Sequence, residues 1–236
     1  MLQSIKKLYG IELSASDGEI GHVQDFYFDD QDWAIRYVIA DTGSWLAGRQ
    51  VLFPPHAFGS LDQTRKLLPV NLTRKQIENS PSIESYKPVS RQYEEEYHRY
   101  YGWPYYWQGG RLCGTGGFPI FEIPAESFPD KPVPANSSRA KRANEHLRST
   151  LNVDGYRLEA SDGKIGHVCD FMMDTESWAI RQLVVKTGWF PGREVEIPTG
   201  KIERISYDES SVFVNLTGKI VERSPMHHVV LEDAAS

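Results

Sequence analysis

Two histidines, two Asp–Arg couples and a doubled Ser-Asp-Gly triplet are the residues of this chain whose types and spacing could do chemistry. His22 and His167 each follow Ile-Gly and could act as metal ligands or general bases. No second His, Cys or carboxylate stands at ligand spacing beside either one. Each is therefore read as a strand histidine satisfied locally, and no metal site is expected. His227 and His228 would point opposite ways on a strand and are read as surface residues. Ser16-Asp17-Gly18 and Ser161-Asp162-Gly163 match no complete calcium loop, and no Gly-rich run leads from them into a helix. A turn that opens the next strand explains them, with Gly supplying positive φ and Asp a local hydrogen bond.

The Asp–Arg couples depend on register. If Asp29-Asp30-Gln31-Asp32 is a four-residue hairpin loop, Phe28 faces Trp33 and Asp25 falls opposite Arg36. Counting the same way around Asp174-Thr175-Glu176-Ser177 puts Asp170 opposite Arg181. Such couples could charge a catalytic pocket. The favoured reading is a structural cross-strand ion pair that pins register, worth roughly 0–1 kcal/mol if partly exposed.

These residues come in pairs because the chain repeats itself. Ala15 to Phe26 returns as Ala160 to Phe171, and Trp33-Ala34-Ile35-Arg36 returns as Trp178-Ala179-Ile180-Arg181. Trp45, Gly48, Arg49 and Val51 return as Trp189, Gly192, Arg193 and Val195; Val70-Asn71-Leu72-Thr73 returns as Val214-Asn215-Leu216-Thr217, and Ser80-Pro81 as Ser224-Pro225. The offset is about 145, with one residue dropped near Ser44, which implies two tandem domains rather than a solenoid. The copies are expected to fill residues 1–86 and 146–236, with residues 87–145 between them.

Each copy reads as strands. Ile20 to Phe28 alternates with period two, and Trp33 to Ala40 is rich in β-branched and aromatic residues. Arg49 to Pro54 and Arg193 to Pro198 are strands stopped by proline. A late strand ends at Val70-Asn71-Leu72 and at Val214-Asn215-Leu216. Short strands punctuated by Gly and Asp predict a mainly β fold of two small antiparallel barrels or sandwiches. Thr73 to Asn79 and Thr217 to Arg223 read as one short helix each, capped by Thr and ended by Ser-Pro.

The middle segment matches neither copy. Ser90 could cap a helix through Tyr101, with Tyr93, Tyr97, Tyr100 and Tyr101 on one face and acidic residues in the early turns. Trp103, Tyr105, Tyr106 and Trp107 add further rings, and Gln108 to Ser138 is Gly- and Pro-rich linker sequence. Tyr93, Tyr97, Tyr101, Trp103, Tyr105, Tyr106 and Trp107 are the interaction candidates. Two roles are open to them: covering the surface of a barrel in this chain or a twin subunit, or docking a protein partner.

The net charge of −6 over 236 residues, with no Lys/Arg cluster in either copy, argues against nucleic-acid binding. Two cysteines, Cys113 and Cys169, suit a reducing compartment. No signal peptide precedes the first repeat and no apolar run approaches a membrane span, so a cytoplasmic location is expected.

The doubled motif resembles the PRC-barrel family, the small β-barrel shared by the cytoplasmic domain of the photosynthetic reaction-centre H subunit and the C-terminal domain of the bacterial ribosome maturation factor. The likeness is carried by Asp17 to Asp29 with Trp33 to Ile39, by Asp162 to Asp170 with Trp178 to Val185, and by Val51 to Pro54 with Val195 to Pro198. The resemblance implies two tandem barrels that bind other proteins or tune a neighbouring cofactor, with no catalytic residue to carry over. It looks most like the stand-alone bacterial proteins of the family. The leading expectation is thus a non-enzymatic interaction or scaffold protein without a cofactor of its own, working through a protein partner or self-association as a homodimer. The rivals are an accessory to photosynthetic or membrane electron transfer, and a small-ligand binder or enzyme using a cleft between the barrels.

Overall fold

A computed structural model of the chain describes residues 1–46, 49–62, 64–81, 91–105, 147–188 and 192–227, without the side chains of 91–93. The fold is mainly β. One sheet has the order β11 (Arg193–Pro198), β10 (Ile180–Thr187), β9 (Gly163–Asp174), β8 (Arg157–Ala160), β13 (Ser211–Val214), β12 (Ile202–Ser206), with β1 (Leu2–Ser4) also paired to β9. The other has the order β5 (Gln50–Phe53), β4 (Ala34–Asp41), β3 (Gly18–Asp29), β2 (Glu12–Ala15), β6 (Leu67–Pro69), with β7 (Leu147–Ser149) also paired to β3.

Both sheets are mixed rather than purely antiparallel, because β6 runs parallel to β2 and β13 parallel to β8. Three strands intervene in the chain between β2 and β6, so the late strand returns in the direction of the first. Neither strand order closes on itself among the described residues.

The compact units do not follow the chain copy by copy. One gathers residues 1–9, 25–36 and 148–236, and the other residues 10–24 and 37–147. The first buries Ile5, Phe26, Phe28, Val153, Leu158, Phe171, Leu183 and Val195. The second buries Leu13, Ile20, Tyr37, Val38, Leu52, Phe53, Ile77 and Tyr97.

The Gly-His motif marks a close approach between strands. A Cβ on Gly21 would lie 2.0 Å from the Asp41 carbonyl oxygen, and one on Gly166 2.2 Å from that of Lys186. Only glycine fits, and in each copy the register of the preceding strand slips beside it.

Helices α1 (Arg74–Glu78) and α2 (Arg91–Tyr101) form where the spacing predicts them. Thr73 caps α1 in a reciprocal box with Gln76. Two further short helices, α3 (Thr150–Val153) and α4 (Gly218–Glu222), belong to the second copy.

Candidate functional site

The duplicated carboxylates Asp25 and Asp170 each collect several hydrogen bonds. β1 and β7 are the same short arm in the two copies, and each pairs with a strand of the other copy. The arm carries a serine, Ser4 or Ser149. Ser4 Oγ donates to Asp170 Oδ2, and Ser149 Oγ donates to Asp25 Oδ2. Lys6 N donates to Asp170 Oδ1 at 3.0 Å, and Leu151 N to Asp25 Oδ1 at 3.2 Å. Phe171 N and Phe26 N each donate to the carboxylate just before them at 2.7 Å. Thr150 Oγ1 adds a further bond to Asp25 Oδ1 at 2.9 Å. Asp25 is buried, and burial pushes its carboxyl up from the ordinary range, an effect the hydrogen bonds from Ser149, Leu151, Thr150 and Phe26 oppose.

The hairpin loops clasp each other in the same reciprocal way. Trp33 and Trp178 adopt left-handed backbone, φ 54° and 56°, which is uncommon for a bulky residue. That conformation frees each tryptophan carbonyl for the opposite copy: Ile180 N donates to Trp33 O at 2.7 Å and Ile35 N to Trp178 O at 2.9 Å. Ala34 and Ala179 form the bridge between them. Phe28 stacks on Trp33 and packs at a tilt against Phe171, with centroids 5.5 and 5.6 Å apart. The same backbone strain repeated in both copies is held in place by these contacts.

The left-handed tryptophan also corrects the expected register. Met173 pairs with Ile180 rather than Trp178, so the loop is two residues longer than the four-residue count assumes. Arg181 then sits in a bulge between Ile180 and Gln182, which shifts the register by one more. Asp170 therefore faces Val184, not Arg181. Arg181 turns to Asp174, 3.7 Å away. In the first copy Arg36 pairs with Asp32 at 2.7 Å and Asp29 at 3.5 Å, while the Asp25 carboxylate takes the arm donors.

The Ser-Asp-Gly triplets do more than open a strand. Asp17 Oδ1 accepts from Arg74 N, and Asp162 Oδ1 from Gly218 N, both at 2.7 Å. Each carboxylate thereby caps the first turn of the helix that ends its copy. His22 and His167 are exposed, opposite Glu12 and Arg157 in their ladders. Burial raises the Cys169 thiol to about 12, and it donates to Val184 O; such a thiol is a poor nucleophile. Cys113 lies outside the described residues.

Helix α2 sets its own rings and two ionisable side chains into the second unit. Tyr97 is 1% exposed, and Glu94 and His98 are each 2% exposed. Tyr37 Oη donates to Glu94 Oε1 at 2.8 Å and lies 3.0 Å from His98 Nε2. His98 Nδ1 is 2.9 Å from Pro104 O. Tyr97 Oη lies 3.3 Å from Ser80 Oγ, and Tyr100 Oη donates to Gln76 O at 2.9 Å. Tyr101 stacks on Trp103 with centroids 4.1 Å apart, and Tyr105 stacks on His98 at 5.5 Å. Burial pushes the Tyr101 hydroxyl above its ordinary range. Tyr106, Trp107 and the side chain of Tyr93 lie outside the described residues.

The arms, the loop clasp and the Asp caps are the features that sequence reasoning missed. Their signal was present: Leu2-x-Ser4 returns as Leu147-x-Ser149 at the offset of the rest of the repeat. Among the described residues no group of three or more His, Cys, Asp or Glu is placed to hold a metal ion. No described helix is long and apolar enough to cross a membrane.

Residues 158–220, most of the second copy, match the PRC-barrel domain family. No curated protein matches the chain.

Proposed function

We propose that this chain is a non-enzymatic scaffold or interaction protein built from two tandem PRC-type β domains. The observation that carries the reading is the use made of Asp25 and Asp170. Each carboxylate accepts from the serine that ends the arm of the other copy and from a backbone N–H two residues beyond that serine. Groups that could act as acid, base or nucleophile are thus committed to joining two copies of one fold. A body of this kind suits presenting surfaces, and the second copy's match to a family associated with protein interaction supports the same use. Fold likeness alone does not decide function, so the polar residues themselves bear the argument.

The test replaces both carboxylates in the full chain, Asp25→Asn with Asp170→Asn, and reads stability and cross-linked partner capture together. The expected result is a lower unfolding midpoint, with the same protein partner captured by both forms below that midpoint. A folded double variant that loses small-ligand binding or a chemical conversion shown by the wild type overturns the reading, as does the absence of any captured partner.

A further inference from the structure

Three buried side chains of the second unit cannot all be satisfied in their ordinary protonation states. Tyr37, Glu94 and His98 are 1%, 2% and 2% exposed. The Tyr37 hydroxyl sits between the other two, 2.8 Å from Glu94 Oε1 and 3.0 Å from His98 Nε2. The other ring nitrogen, Nδ1, lies 2.9 Å from Pro104 O. Each of these separations is a hydrogen-bond length and needs a proton of its own. A carbonyl oxygen only accepts, so the Pro104 contact puts a proton on Nδ1. The Tyr37 hydroxyl has a single proton and gives it to Glu94. Nε2 must then donate to Tyr37 Oη, and His98 carries both ring protons. Placing the extra proton on Glu94, with a neutral His98 accepting from Tyr37, moves it along the chain of bonds and leaves the count unchanged. Whatever else Glu94 and His98 touch, removing that proton leaves three contacts with two protons. One contact then sets two buried acceptors against each other, which is costly.

We infer that helix α2 docks on its sheet with one bound proton and so forms a pH-sensitive latch that alkali releases. The setting of His98 suits a charged ring: Tyr105 stacks on it with centroids 5.5 Å apart, and an aromatic face attracts a cation. The neighbours that could compete are few. From the short turn Pro55–Ala57, His56 meets the Trp103 ring at 5.2 Å, and burial holds its imidazole below the ordinary range. Beyond the end of α1, Ser80 faces Tyr97 and accepts from the Arg49 guanidinium. On α2 itself, Tyr97 is buried, Glu95 and Tyr101 are half-buried, and Glu96 and Arg99 are exposed. Among these neighbours only His56 ordinarily titrates near neutral pH. Above the ordinary histidine value of about 6.5, the undocked helix has lost its proton. Docking then takes one up, so the docking constant falls about ten-fold per pH unit until the docked cluster itself lets the proton go. Release uncovers Tyr37 and Tyr97, so the proton governs access to an aromatic surface.

Hydrogen exchange on the full chain, corrected for the intrinsic rate, reads the protection of the α2 amides from about pH 6 to about pH 8.5, with the β9 amides as the report on the rest of the fold. Wild-type α2 is expected to lose protection about ten-fold per unit above about pH 6.5, while β9 does not follow. Glu94→Gln decides the mechanism. Its amide donates to Tyr37 Oη, Tyr37 donates to His98 Nε2, and neutral His98 keeps its Nδ1 proton on Pro104 O, so every contact forms without the extra proton. This variant should keep α2 protected and lose the slope, whereas His56→Gln should keep the wild-type slope. A wild-type slope below about three-fold per unit overturns the inference, as does a slope that survives Glu94→Gln or disappears with His56→Gln. An α2 left unprotected at every pH in Glu94→Gln, with β9 intact, overturns it too. Where Glu94→Gln also strips protection from β9, the slopes of the wild type and of His56→Gln decide on the same terms.

Discussion

Replacing Asp25 by Ala should cost more than replacing Asp170 by Ala, although the two occupy equivalent positions. Asp25 accepts from Ser149 Oγ, Thr150 Oγ1, Leu151 N and Phe26 N, and Asp170 from Ser4 Oγ, Lys6 N and Phe171 N. A buried donor left without a partner costs about 1–3 kcal/mol. The hydroxyls can turn to other acceptors, so the backbone N–H groups dominate. Phe26 N keeps a second contact with Thr150 Oγ1 at 3.3 Å, and release of a buried charge offsets part of the loss. The balance is about 3 kcal/mol for Asp25→Ala and, in the more open second site, roughly half of that for Asp170→Ala. Urea unfolding followed by tryptophan fluorescence and circular dichroism measures both, and the midpoint should fall with unchanged slope. Equal losses, or a larger loss for Asp170→Ala, refute the reasoning, as do losses below about 0.5 kcal/mol at both sites.

Further outcomes follow from individual residues. Gly166→Ala should destabilise by about 2 kcal/mol or more because its Cβ would meet the Lys186 carbonyl oxygen, whereas Gly200→Ala, with open space around it, should stay within about 0.5 kcal/mol; calorimetry on both separates them. Asp174 is held down to about 2 by the Ser177 hydroxyl and the terminal amino group, so it adds stability above its ordinary value near 3.8 that is lost as pH falls toward 2; Asp174→Asn should flatten that part of the acid unfolding profile. Asp25, pushed up by burial, has the opposite sign: its contribution declines as pH rises from 3.8 through its raised value, and Asp25→Asn should remove that decline. Asp162→Ala uncaps α4, where Thr217 makes no side-chain cap bond, and should cost about 1 kcal/mol by urea unfolding; Asp17→Ala should cost less because Thr73 and Gln76 still cap α1.

What was legible in the sequence was what each residue does within its own neighbourhood. Period-two alternation located β3 and β9, proline ended β5 and β11, and tyrosine spacing located α2. The pairing of Asp25 and Asp170 was not legible, for two physical reasons. A tryptophan in left-handed backbone lengthens the loop, and propensity assigns no such conformation to a bulky ring. A repeat is also silent on whether an arm folds back on its own copy or crosses to the other, because both acceptor strands offer the same Asp-Phe pair. The Asp caps escaped for a related reason. Asp17 and Asp162 act on helices more than fifty residues away, while their triplets look complete as local turns. The aromatic helix shows the converse: its stripe was plain, but only packing shows Glu94 and His98 buried beside Tyr37.

The central claim is that the arms cross between copies, and a cysteine pair tests it most directly. Leu2 faces Asp174 in the β1–β9 ladder, and the first-copy equivalent of Asp174 is Asp29. With Cys113 and Cys169 changed to Ser, Leu2→Cys is combined with either Asp174→Cys or Asp29→Cys, oxidised mildly, and mapped by peptide mass spectrometry on the monomer fraction. The account predicts an intrachain disulfide between positions 2 and 174 and none between 2 and 29. A disulfide between 2 and 29 that forms more readily than between 2 and 174 would place the arm on its own copy and contradict it.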